Sequence, residues 1–246
     1  DGTISNDDVY VVSGNVGLET GNITHTGTVM IQGDVDSGAS IDVEGDIMVK
    51  GMLEPCNIKC GGTLTVAGGI VGDQEHKLEI NGDLLAKYIS EATIEVGGNV
   101  MVGNEIAHSR VSCLGRVKVP KGRIAGGTTI AKNGIQVADA GSSGSSDTKL
   151  IAGVDYTLPA KIHWHEEKIN KLEETQEKIS LAVQVSEHKT DLPKAEKDTY
   201  EGLKVKCSQI SQAIADEHML IQKLKVDALN TSVNEIIILN ELWSGT

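Results

Sequence analysis

The chain has 246 residues, 28 of them glycine, with 2% aromatic residues, no Phe and a formal net charge of −13. So few aromatics among so many glycines do not build an ordinary globular core, and the acidity argues against the basic groove that a nucleic-acid backbone requires. To residue 159 there are 11 basic and 20 acidic residues, against 11 and 15 beyond it, so the first part is the more acidic.

Asp1 to Asn22 begins irregularly and enters an apolar pattern at Tyr10-Val11-Val12. This reads as a first, less regular coil whose open ladder edge needs an atypical cap. A chain that starts at Asp1 is expected to be a fragment with an upstream segment.

From Gly27 to Val119 a unit of glycine, polar, aliphatic, any, aliphatic recurs. Its copies are Gly27-Thr28-Val29-Met30-Ile31, Gly45-Asp46-Ile47-Met48-Val49, Gly62-Thr63-Leu64-Thr65-Val66, Gly82-Asp83-Leu84-Leu85-Ala86, Gly98-Asn99-Val100-Met101-Val102 and Gly115-Arg116-Val117-Lys118-Val119. They stand 18, 17, 20, 16 and 17 residues apart. Between them lie aliphatic pairs such as Ile41-Asp42-Val43, Leu78-Glu79-Ile80 and Ile94-Glu95-Val96. Alternation indicates strands, and strands of about three to five residues hold only when stacked on like neighbours. Gly45, Gly62, Gly82 and Gly98 are read as structural corners, where positive φ or close backbone approach demands glycine.

The fold class expected is mainly β, a parallel β-helix solenoid over residues 1–158. Apolar residues six apart at Val29, Val35, Ile41, Ile47 and Leu53 suggest three sides per turn. That fits either a left-handed hexapeptide helix or a right-handed three-sided one. The right-handed preference of parallel crossovers, with the drift in the interval, favours the right hand.

Gly72 to Lys77 is expected to loop out of one corner. After Pro120, Ile124, Ile130 and Ile135 continue the pattern; Ala140 to Asp147 is low-complexity, and Lys149 to Ala152 reads as one more strand. Residues 159–246 are assigned to an antiparallel α-helical coiled-coil hairpin with a short terminal helix. Pro159 suits a first helical turn, and Ile162, Ile169, Leu172, Ile179 and Val183 form one seam. Asp191-Leu192-Pro193 reads as the turn, and Leu203, Cys207, Ile210, Ile214, Ile221, Leu224 and Ala228 form the second seam. Ser232-Val233-Asn234-Glu235 has capping-box spacing, so the apolar run after it is predicted to be the short third helix.

Candidate chemistry is thin. His108-Ser109 resembles the lone histidine base of β-helical acyltransferases, but no partner acid or substrate arm accompanies it, so both are assigned to a structural corner. In His163-Trp164-His165 the histidines point in different directions on a helix, and His25, His76 and His108 lack zinc-ligand spacing. Cys56, Cys60, Cys113 and Cys207 match no metal pattern and are expected to be free core thiols of a reducing compartment. Glu166-Glu167 and Glu173-Glu174 are read as solvated helix faces. Both Trp lie in the helical part, leaving little for sugars to stack on. No catalytic residue, cofactor-binding residue or metal ligand is therefore assigned, and the chain is read as no enzyme. The apolar residues Ile236, Ile237, Leu239, Leu242 and Trp243 are expected to form a protein-interaction surface, with a homo-oligomer through the helices as a second use.

The order of Thr20-Gly21-Asn22-Ile23, Gly33-Asp34-Val35, Gly45-Asp46-Ile47, Gly51 with Glu54, Ile106-Ala107-His108-Ser109 and Gly153-Val154-Asp155 ahead of a coiled coil resembles the flagellar assembly protein A family. Two departures are Pro55-Cys56 in a corner, and a chain expected to end before the short strand that follows the coiled coil in the family. The resemblance implies a bacterial cytoplasmic protein, recruited to the cell pole, that serves polar flagellum assembly as a scaffold or regulatory adaptor. Its partner would be a cytoplasmic regulatory or polar flagellar-assembly protein, with no nucleic acid and no membrane span. The alternative reading is a β-helical enzyme acting on a sugar nucleotide or polysaccharide.

Overall fold

A computed structural model describes residues 9–17, 19–142, 147–187, 194–229 and 234–243. The first strands are β1 (Val9–Val12), β2 (Ile23–His25), β3 (Thr28–Ile31), β4 (Ser40–Val43), β5 (Ile47–Val49), β6 (Asn57–Cys60), β7 (Leu64–Val66) and β8 (Ile70–Val71). They continue as β9 (Lys77–Ile80), β10 (Leu84–Ser90), β11 (Thr93–Val96), β12 (Val100–Cys113), β13 (Val117–Ala131), β14 (Ile135–Ala140) and β15 (Thr148–Ala152). Helices α1 (Leu158–Glu187) and α2 (Lys194–Leu229) follow, and β16 (Ile236–Leu242) comes last.

Every strand pairing is parallel, and the chain winds as a solenoid of about 8 turns. Three columns of inward residues give it three sides. The first runs Tyr10, Val29, Ile47, Leu64, Leu84, Val100, Val117, Ile135, Ile236. The second runs Val16, Val35, Leu53, Ile70, Ile89, Ile106, Ile124, Ala140, Leu242. The third begins Ile23, Ile41, Ile58, Leu78, Ile94, Val111. From Val29 to Ile135 the first column is at most 1% exposed, so each coil covers the aliphatic face of the next.

The glycine-polar unit has a mechanical origin. The Oδ1 atoms of Asn15, Asp34, Asp46, Asp83 and Asn99 accept the backbone N–H of Asp34, Met52, Thr63, Asn99 and Arg116, each one coil further on, at 2.6–3.0 Å. A Cβ on the glycine before each donor (Gly33, Gly51, Gly62, Gly98, Gly115) would collide with that same side-chain oxygen. Glycine and its polar neighbour are thus two halves of one inter-coil clamp. At another corner Gln74, Glu91, His108 and Gly126 carry φ of 65°, 54°, 47° and 72°, a stack of left-handed residues.

The structure differs from expectation in three places. The strands are not all short: β12 and β13 span 14 and 15 residues, because their ladders continue round the corners. Residues 236–242 form strand β16 rather than a third helix, and so the chain does contain a strand after the coiled coil. The reason is tertiary. β14 offers an unpaired ladder edge, and Ile236-Ile237-Ile238 lies in register on Ile135-Gln136-Val137, where β-branched side chains fit a pleated surface. Residues Ser232 and Val233 of the capping box, the Asp191-Leu192-Pro193 turn and Ser143 to Ser146 lie outside the described residues.

Two compact units result: Asp1–Tyr156 with Ser232–Thr246, and Thr157–Thr231. Within the second, His165 and Lys168 meet Glu217 and Gln176 meets Ser211, so the two helices pair antiparallel. The innermost positions recur at steps of four and three, from Ile162, His165, Ile169, Leu172 and Gln176 on α1 to Cys207, Ile210, Ile214, Glu217 and Ile221 on α2. At about 1.5 Å per residue the arms run to roughly 45 and 54 Å.

Candidate docking surfaces

Ile236, Ile238 and Leu242 occupy the inward phase of the solenoid, since they pair with the buried Ile135, Val137 and Ala140. Yet Ile236 and Leu242 are 41% and 64% exposed, because among the described residues no strand pairs with the outer edge of β16. Leu239 and Trp243 are exposed beside them, while Ile237 takes the outward phase and Ile238 packs on the core. Trp243 N–H donates to Ala140 O at 2.9 Å, which holds the end of the run against the coil beneath. Of the five residues singled out from the sequence, Ile236, Ile237, Leu239 and Leu242 lie on β16 and Trp243 follows it directly.

Gly45, Gly62, Gly82 and Gly98 lie between strands, and close approach rather than positive φ is what requires glycine there. For Gly45 and Gly82 the obstacle is the backbone carbonyl of the preceding coil, for Gly62 it is the clamp oxygen of Asp46, and for Gly98 it is the clamp oxygen of Asp83 together with the backbone carbonyl of Gly82. His108 is exposed, while the buried Ser109 makes the inter-coil bond: its Oγ donates to Ala107 O (2.7 Å) and accepts from Ala92 N–H (3.1 Å). The two line a cleft of about 140 Å³ with Gln74, Thr93 and Arg110. Among the described residues no carboxylate lines this cleft, so none orients the imidazole there.

Among the described residues no group of three or more His, Cys, Asp or Glu could hold a metal ion. Burial pushes the Cys56 and Cys113 thiols up to about 12 and Cys60 to about 11, far from a reactive thiolate. His163 and His165 separate on α1: the first faces Glu167 and the second Glu217. No described helix is long and apolar enough to cross a membrane.

One surface escaped the reading of the sequence. The fourth position of each repeat unit, treated there as unconstrained, points outward and stacks Met30, Met48, Thr65, Leu85 and Met101 in one column, with Val11 before them. The signal was present in the sequence as Met30, Met48, Leu85 and Met101, apolar residues in the slot that alternation assigns to solvent.

A family model described as FapA: Flagellar Assembly Protein A beta solenoid domain matches residues 8–246. No curated protein and no solved structure matches the chain.

Proposed function

The chain belongs to the flagellar assembly protein A family, and from that premise we propose that it is a non-enzymatic scaffold or regulatory adaptor in assembly of the bacterial polar flagellum. It works in the cytoplasm with recruitment to the cell pole, and its partner is a cytoplasmic regulatory or polar flagellar-assembly protein. The observation that carries the reading is the set of exposed apolar side chains on β16 and just after it: Ile236, Leu239, Leu242 and Trp243. Apolar and aromatic anchors on a stiff support are what protein docking uses, and a strand with a free edge accepts a partner's backbone as well. The hairpin supplies a second docking surface, with Trp164, Leu181, Val205 and Met219 exposed.

The test is complementation in flagellated cells lacking the protein. Leu239→Asp with Leu242→Asp, and separately replacement of residues 157–231 by a short Gly-Ser linker, should each leave the β-solenoid folded by circular dichroism and fail to restore polar flagella. Such a linker is feasible because Gly153 and Asn234 lie side by side, an added Cβ on the glycine falling 3.2 Å from Asn234 Nδ2. Full restoration by both variants would place recognition elsewhere and overturn the reading.

A further inference from the structure

The outward column Val11, Met30, Met48, Thr65, Leu85, Met101 is flanked by two others, two residues to each side. On one side stand Val9, Thr28, Asp46, Thr63, Asp83 and Asn99; on the other Ser13, Gln32, Lys50, Ala67, Lys87 and Gly103. Over these six rungs the only charges are Asp46 and Asp83 on the first side and Lys50 and Lys87 on the second. Each acid shares its coil with one lysine, across a methionine or leucine. All four are exposed or partly so, and among the described residues neither lysine has an ion-pair partner. Val11, Leu85 and Met101 are 46%, 37% and 50% exposed, and Leu85 and Met101 line a shallow cleft of about 180 Å³.

An outward β-sheet column in water ordinarily alternates charge and polarity. This solenoid has such a column on another side, where Thr24, Asp42, Lys59, Glu79, Glu95 and Ser112 stack and Lys77 bridges Glu79 and Glu95 at 3.0 Å. The apolar column departs from that pattern over about 24 Å of stacked rungs, taking about 4.8 Å per rung. Beyond Met101 the departure ends, at Lys118 and Gln136.

From this arrangement we infer that the sheet face carrying Met30, Met48, Leu85 and Met101 binds a second copy of the same chain, about a two-fold axis parallel to the solenoid axis. Charge decides the occupant and its orientation. That axis exchanges left and right and leaves height unchanged, so Asp46 meets Lys50 of the second copy, Asp83 meets its Lys87, and the apolar column lies on itself. A two-fold axis perpendicular to the solenoid would bring the acidic side onto the acidic side. The face is thus self-complementary in one orientation, as an isologous interface requires, and methionines supply adaptable contact for sheets packed about 10 Å apart. This dimer is argued from the solenoid face alone, without the hairpin or β16, so it stands or falls separately from the proposed docking surfaces.

Sedimentation equilibrium of the intact chain tests it. We expect twice the 26.0 kDa chain mass. Leu85→Glu with Met101→Glu should weaken association at least 100-fold. Lys50→Glu with Lys87→Glu, which sets acid against acid, should weaken it at least tenfold, and adding Asp46→Asn with Asp83→Asn should recover most of the loss. The asparagines keep the Oδ1 acceptor of the inter-coil clamp, as Asn99 already does, so the quadruple variant separates charge from folding. In a Cys207→Ser background, single cysteines at Met30, Thr65 and Met101 should each cross-link to their own counterpart through a short bis-maleimide, because only an axis along the column brings every rung to itself. A chain that stays monomeric at about 1 mM, a dimer in which only one of the three positions cross-links, or a dimer lost on removing residues 157–231 and indifferent to Leu85→Glu with Met101→Glu would overturn the inference.

Discussion

Gly62 and Asp46 show how far a repeat can be argued at the scale of single atoms. Asp46 Oδ1 accepts Thr63 N–H at 2.7 Å and occupies the space that a Cβ on Gly62 would need. Gly62→Ala should therefore cost about 1 to 3 kcal/mol, as overpacking does, and in an Asp46→Ala background the added cost should fall by about 1 kcal/mol or more, read as a double-mutant cycle in urea. Gly45→Ala is the control: its obstacle is the backbone of Gly27, which no side-chain deletion removes, so the same background should change nothing. His108 yields to similar reasoning. At φ 47° a non-glycine residue bears a left-handed cost of about 1 to 2 kcal/mol, partly offset by the unfolded-state entropy of glycine. His108→Gly should leave thermal stability unchanged or raised by up to about 1 kcal/mol, whereas the β-branched His108→Val should lower it.

At the scale of elements the helical hairpin turns on one acidic residue in an apolar seam. Glu217 is 6% exposed and lies between Lys168 Nζ and His165 Nδ1. Lys168 first and His165 second hold its carboxyl below the usual carboxylate range. A depressed carboxyl contributes stability above its unfolded value, near 4.5, and loses it as pH falls through the lower folded value. The hairpin's ellipticity at 222 nm should accordingly melt at lower temperature as pH drops below about 4.5, and Glu217→Gln should melt lower at pH 7 with the gap to the parent closing in acid. A gap independent of pH would remove the ion pairs from the account. The seam itself was legible from Ile169 and Ile221, whose spacing alone places them inside, but Glu217 was not, since a charged residue in an apolar register looks like an interruption until its partners on the other helix are known. The solenoid was legible for the same local reason: each inward residue repeats one coil later. The clamp was visible only as a preference for Gly-Asp and Gly-Asn, because its oxygen and its donor lie one coil apart. β16 was misread because a capping-box spacing and an isoleucine run suit helix and strand alike, and the deciding partner, β14, lies about a hundred residues upstream, on a ladder edge that periodicity does not reveal.

For the whole molecule the placement of β16 changes what the chain is: the hairpin is an insertion into the solenoid rather than an appendage after it. The strand that pairs with β14 arrives only after residues 157–231 have been traversed. Ile135, Val137 and Ala140 owe their burial in part to that strand, and Glu241 N–H is accepted by Asp139 Oδ1 at 3.2 Å across the same junction. Two deletions that look alike should then behave differently. A chain stopped at residue 156 loses the hairpin and β16 together, which bares the inward side chains of β14; a chain in which a Gly-Ser linker replaces residues 157–231 loses the hairpin alone. Chemical denaturation should find the linker variant within about 1 kcal/mol of the solenoid in the intact chain, since closing a short loop costs little. The stopped chain should be less stable by about 2 to 5 kcal/mol, the scale of losing large apolar contacts from a core, and should associate through the bared edge of β14. Equal stability of the two would mean that β16 adds nothing to the coil it pairs with.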